Sequence, residues 1–211
     1  MIKDNGALVH KMTVAETKRF VRALPAIFSA QRYIEENLIG KIRYFFFREE
    51  GKVKWFGVQV VENNFMHLCG INYLGGPRKF WKAVQVNHLE TDLIKIKNDG
   101  TTFQKLQVVS LLEELNGGNL LVSSAGVLFK VRYDHLLRTR RNIMALALNQ
   151  VEMYYRPVSL LNLQKDPLKF NTRATKLFRV VAIVDEVIAT GEYHQVLFAK
   201  DGYNYCNYLR D

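Results

Sequence analysis

Between Phe20 and Leu38 the apolar residues fall at helical spacing, with Phe20, Leu24, Ile27, Phe28, Ile34 and Leu38 on one face. Thr13, with Glu16 three residues on, has the form of a capping box, so a helix is expected from there. Pro25 cannot donate an N–H and should kink or split it, and Gly40 is a natural stop. Residues 1–12 have no period and read as a loose start. After Gly40 the pattern changes. Ile42–Arg48 and Val53–Val61 are strand-like and rich in aromatics, and Glu50-Gly51 between them supplies a turn, which predicts a hairpin. Its aromatics should pack on the first helices as core. Beside Arg43, Arg48 and Lys54 they can alternatively form a surface on which bases stack.

The stretch from Asn64 to Ile71 is where the hairpin hands over to helices. Two strand-like apolar pairs flank His67, so His67 and Cys69 are expected as alternate residues of a strand. Gly75-Gly76-Pro77 then leads into a helix through Phe80, Trp81, Val84 and Leu89, whose other face carries Arg78, Lys79 and Lys82. A strand at Leu93–Lys97 and the turn Asn98-Asp99-Gly100 follow. Thr101 or Thr102 can cap a helix through Leu106, Val109, Leu112 and Leu115, ended by Asn116–Asn119.

Residues 120–164 look sheet-rich, with Leu120–Val122, Val127–Val131, Ile143–Leu148 and Met153–Leu161 as strands. The basic run Arg138-Thr139-Arg140-Arg141 separates the second and third of them, and Pro157 suggests a sheet edge. Residues 165–176 form a polar connector. Leu177–Ile188, Tyr193–Ala199 and Tyr203–Leu209 read as a β-meander. The pattern as a whole is α+β.

Composition narrows the function classes. With 211 residues, 48% of them apolar, the chain can bury a core and is not disordered. A net charge of +10 attracts polyanions: nucleic acid, an acidic protein or an anionic membrane surface. Solubility alone is the plainer reason for such a charge. Two cysteines, Cys69 and Cys206, make no framework and suit a reducing cytosol. No apolar run has the length of a membrane span, and the first residues lack a signal-peptide core, so a cytoplasmic location in a host cell is expected.

Several chemistries lack their residues. His67 and Cys69 are too few for zinc. The carboxylates that would gather magnesium are scattered, and the E-x-K match at Glu50-Gly51-Lys52 falls on a hairpin tip. There is no GxxxxGK loop and no GxSxG elbow. RNA cleavage without a metal or other cofactor remains. The substrate supplies its 2′-hydroxyl, and the protein supplies a base, an acid and fixed cations. His67, the Thr101-Thr102-x-x-Lys105 group and the Arg138–Arg141 run have suitable types.

Four pieces occur in order: Phe65-Met66-His67-Leu68-Cys69-Gly70, Gly100-Thr101-Thr102-Phe103-Gln104-Lys105-Leu106, Tyr133-Asp134-His135-Leu136-Leu137-Arg138-Thr139-Arg140 and Pro157-Val158-Ser159-Leu160-Leu161-Asn162. Together they resemble a phage and mobile-element family of the Barnase–EndoU–colicin E5/D–RelE-like (BECR) nucleases, over residues 40–165. The resemblance implies N-terminal helices packed on a small antiparallel sheet, with residues 1–165 as that domain and 166–211 as an appended C-terminal β-meander. It implies His67 as acid or base, Lys105 as a phosphate contact, Arg138 and Arg140 as transition-state cations, and Ser159 as a hydrogen-bond donor. Cys69 stands where the family pattern suggests a small hydroxyl residue such as threonine. Arg78, Lys79, Lys82 and Arg141 are the further candidates for nucleic-acid contact.

Each residue also has a purely structural reading. His67 between Phe65 and Leu68 can be a satisfied core histidine. Thr101 or Thr102 can be only a cap, Lys105 a solvated helix residue, the arginine run a solvated edge, and Ser159 a turn cap. Two functions therefore stand side by side. One is a ribonuclease acting on RNA. The other is a non-catalytic accessory protein that occupies nucleic acid or a nucleoprotein complex, for example a host RNA-guided defence complex. A mainly structural role in a larger assembly is a third.

Overall fold

The computed structural model describes residues 3–4, 7–128, 131–139, 141, 143–165 and 176–200. The expected strand at 203–209, Cys206 and Arg140 lie outside the described residues. The start is not loose: β1 (Lys3–Asp4) and β2 (Ala7–Lys11) are strands. Helix α1 (Val14–Asn37) follows its period. Thr13 N–H donates to Glu16 Oε2 at 2.8 Å and Glu16 N–H to Thr13 Oγ1 at 3.3 Å, the reciprocal box that its spacing predicts. Pro25 lies inside one continuous helix, on the exposed side, where water can take the carbonyl it leaves unpaired. Gly40, at φ 75°, turns the chain into the hairpin of β3 (Lys41–Glu49) and β4 (Lys52–Gln59).

The middle of the chain carries α2 (Glu62–Cys69), β5 (Ile71–Tyr73), α3 (Gly76–Gln85), β6 (Ile94–Lys97) and α4 (Thr101–Leu106). A 3-10 segment (Val109–Asn116) leads to β7 (Leu120–Ser123), β8 (Gly126–Leu128), β9 (Val131–Tyr133) and β10 (His135–Thr139). Then come β11 (Met144–Val151), β12 (Tyr154–Asn162), β13 (Leu177–Val187) and β14 (Glu192–Ala199).

The architecture corrects the expectation of helices packed on a small antiparallel sheet with an added meander. Seven strands close into a barrel in the order β13-β3-β4-β12-β11-β10-β7, and β7 pairs back onto β13. The C-terminal strands are therefore not an addition. Residues Leu177–Arg179 of β13 pair with β7, its remainder pairs with β3, and β14 takes the edge that β7 has left. All these ladders are antiparallel except β4–β12. A separate four-stranded sheet runs β1-β2-β6-β5. No helix is long and apolar enough to cross a membrane among the described residues.

Alternation on β3 sorts its aromatics. Phe45 and Phe47 face the barrel interior with Phe56, in one apolar cluster with Phe20, Ile27 and Ile34 of α1. Tyr44 and Phe46 face outward with Ile42, Val181 and Val184. Most of the hairpin aromatics are therefore core. Phe46 is fully buried whereas Trp55 is 47% exposed. Phe46→Ala should therefore cost about 3–5 kcal/mol, and Trp55→Ala no more than about 1 kcal/mol. Urea denaturation of both variants checks this; equal losses would show that Trp55 is covered in solution.

One inward position of β3 is charged. Arg43, 1% exposed, donates from Nε and Nη2 to the two Asp185 carboxylate oxygens on β13, each at 2.8 Å. Its Nη1 donates to Tyr33 Oη at 2.9 Å and to Asn116 Oδ1, and Nη2 also reaches the Asn37 carbonyl at 3.1 Å. All five guanidinium donors are thus used. Tyr33 Oη in turn donates to Asn116 Oδ1 at 2.6 Å.

Candidate functional site

The barrel has a splayed junction. β4 and β12 meet in parallel through one register pair, Val58 with Tyr155. Helix α2 packs against β12 there, and Asn64 pins it. Asn64 Oδ1 accepts from Val61 N–H at 2.9 Å, and its amide donates to the Pro157 carbonyl at 3.3 Å. Pro157 sits inside the sheet rather than at an edge. β12 scarcely pairs with β4, so the missing proline N–H breaks no ladder on that side.

The expected strand around His67 is instead this helix. Phe65, Met66, Leu68 and Cys69 are all buried, a spacing that fits one helical face as well as apolar pairs. Cys69 consequently lies wholly in the core while His67 is half-buried in the last turn. Gly70, at φ 68°, ends the helix in the left-handed region.

Helix α4 meets that end. The threonines do not cap it: Gly100 is the cap residue, and Asp99 before it makes an Asx turn, accepting from Thr101 N–H at 3.0 Å and Thr101 Oγ1 at 2.7 Å. Thr102, fully buried, joins two loops instead. Its hydroxyl donates to the Gly70 carbonyl at 2.6 Å and accepts from Lys97 N–H at 3.1 Å. Lys105 Nζ donates to the His67 carbonyl at 2.8 Å, which places a cation at the negative end of α2. A Cβ on Gly70 would lie 2.8 Å from Lys105 Cδ and 3.2 Å from Thr102 Cα, so no side chain fits there. His67, Gly70, Thr102 and Lys105, far apart in sequence, thus form one interlocked junction.

Burial sets its electrostatics. It drives the Lys105 pKa down to about 8, with the Lys97 charge adding to the effect. It drives the Cys69 thiol well up, against the pull of Lys105, so Cys69 stays protonated. Unfolding returns Lys105 to its usual 10.5, so between about pH 8 and 10.5 the unfolded chain binds a proton that the folded chain has lost. Stability from this group therefore rises with pH through that window. Cys69 acts in the opposite sense above pH 9, its usual 9.0, because only the unfolded thiol ionises there. The gain should thus be concentrated between about pH 8 and 9, and Lys105→Met should abolish it. Urea denaturation of both proteins across that range is the check, and an unchanged slope in the variant would refute it.

The other expected residues stand outside α2 and α4. Arg138 and Ser159 are both 5% exposed, on β10 and β12. Register places Arg138 in a row with Ala145 and Leu161, and Ser159 in the adjacent row with Ala147 and Leu136, so both point to the outer side of the barrel. Burial lowers the Arg138 pKa. Arg78, Lys79 and Lys82 are exposed on α3, which packs on α2. Arg141 is exposed and lines a cleft. Among the described residues no group of three or more His, Cys, Asp or Glu side chains could hold a metal ion.

The sequence pointed to Arg43 only as a cation beside a possible stacking surface, whereas it is buried, and it did not single out Asp185. The available signal was an opposite pair of charges set within two strands that are mostly apolar. Thr102 was visible as a cap and as a member of the Thr101-Thr102-x-x-Lys105 group, but not as a link between loops. Its bond to Gly70 depends on how two distant loops meet.

The family model for phage-Barnase-EndoU-ColicinE5/D-RelE like nuclease4 matches residues 28–200, well over half of the chain. Searches of curated proteins and of solved structures return no match.

Proposed function

The chain belongs to the phage-Barnase-EndoU-ColicinE5/D-RelE like nuclease4 family, and from that premise we propose that it cleaves RNA by attack of the substrate's own 2′-hydroxyl, with His67 as acid or base. The observation that carries this reading is the locked end of α2. It presents a half-buried histidine from a backbone held by Lys105 Nζ at 2.8 Å. A group that moves protons works best when its position is fixed and its ring remains reachable. In the reaction the 2′-oxygen bonds to phosphorus as the 5′-oxygen leaves. The base takes the 2′-hydroxyl proton, and an acid returns one to the 5′-oxygen. The products carry a 2′,3′-cyclic phosphate and a 5′-hydroxyl.

Lys105 is a positioning residue in this scheme. Its ammonium is spent on the His67 carbonyl and is only 8% exposed, so it orients the helix end rather than meeting a phosphate. Arg138 and Ser159, only 5% exposed and directed to the outer side of the barrel, are likewise given no contact with the scissile phosphate in this scheme. The test is incubation of labelled RNA with purified protein at neutral pH with chelator present. Cyclic-phosphate ends are the expected result. Tight binding to RNA that stays intact would overturn the reading in favour of a protein that occupies nucleic acid without cutting it.

A further inference from the structure

We propose that the seam where the barrel closes is a track for the phosphates of a single polynucleotide strand, a reading that rests on the nuclease assignment. Two clefts, of about 270 and 580 Å³, adjoin at Asn119 beside the β7–β13 junction. The smaller is lined by Arg179 and Lys200, the larger by Arg141. The three side chains are exposed and make no hydrogen bond or ion pair among the described residues. Glu114 is the only carboxylate among the described lining residues of either cleft.

The seam is built rather than incidental. β7 leaves β13 after Arg179, and β14 joins the same edge only from Ala182, so the edge is interrupted between the two. Phe198 of β14 folds back over Gly118, so closely that a Cβ there would lie 2.2 Å from its ring. That ring walls the smaller cleft, and any side chain at position 118 would displace it. Register also puts Arg179, Leu121 and Arg138 in one row across three strands. With strands about 4.8 Å apart, Arg179 and Arg138 stand roughly 10 Å from each other on one side of the sheet. Cations spread along two joined clefts suit a chain of phosphates better than one isolated anion. A groove between strands suits a flexible single strand better than a duplex.

The probe is a labelled 2′-O-methyl oligouridylate of about a dozen nucleotides, which lacks the nucleophile and cannot be cut by 2′-hydroxyl attack. Binding is therefore read independently of cleavage. Arg179→Ala with Lys200→Ala should weaken binding about tenfold or more. It should also make the dependence of log affinity on log salt shallower by about 1.4, the release of two phosphate contacts. Arg141→Ala alone should remove about 0.7 of that slope. Lys18→Ala with Lys52→Ala removes the same charge from exposed sites elsewhere and should leave the slope unchanged. If the two double variants behave alike, or if polyglutamate displaces the strand as well as an equally charged polynucleotide does, the track is refuted. If ordinary RNA is never cleaved although the seam variants lose binding, the nuclease reading fails while the track stands.

Discussion

Arg43→Ala is expected to cost about 3–5 kcal/mol of stability, enough to bring a domain at the low end of ordinary stability, about 5 kcal/mol, close to its unfolding midpoint. The substitution removes a guanidinium that uses all five donors and leaves the Asp185 carboxylate, 2% exposed, without its countercharge. The loss comes chiefly from that stranded carboxylate rather than from the net worth of the pair. Replacing both partners with apolar side chains of similar volume, Arg43→Met with Asp185→Leu, should therefore recover most of it. Tyr33 and Asn116 keep their own hydrogen bond in the double variant. Urea denaturation of wild type, single and double variants decides the matter. A double variant as unstable as the single one would mean that the ion pair itself holds β3 to β13.

His67→Gln is expected to lower RNA cleavage by about 10²–10⁴-fold, the usual contribution of one acid–base group. The fold should survive, because the bond from Lys105 is made to the backbone carbonyl of residue 67 and does not depend on its side chain. Affinity for uncleavable RNA should change little. Lys105→Met separates the two roles. It breaks the bond that fixes the helix end, so kcat should fall with KM nearly unchanged, and the shape of the pH–rate profile should persist because His67 is retained. A glutamine variant that cleaves at the wild-type rate would remove His67 from the chemistry and leave it a packing residue.

Local features were legible in the chain because a few neighbouring residues decide them. The Thr13–Glu16 box fixes the start of α1 within one turn. The aromatic alternation of β3 sorts Phe45 and Phe47 from Tyr44 and Phe46 without reference to anything distant. Gly40 takes the left-handed backbone just past the end of α1, as its place in the sequence suggests. The motifs that resemble the nuclease family were legible as strings, and the family model matches residues 28–200.

Their geometry was not legible. The spacing of Phe65, Met66, Leu68 and Cys69 fits apolar pairs on a strand and one face of a short helix alike. The splayed β4–β12 junction, which takes a helix, decides between them. Barrel closure rests on pairing Leu177–Arg179 with β7, and the buried ion pair joins residues 142 apart in sequence. Strand periodicity says which side of a strand is apolar but not which partner it will find. The sequence by itself determined the helix start, the aromatic hairpin, the basic character and the family. Only the tertiary structure decided that β13 closes a barrel and that His67 stands on a helix end held by Lys105. Those outcomes depend on contacts between distant segments, whose free energy appears only when both sides are in place.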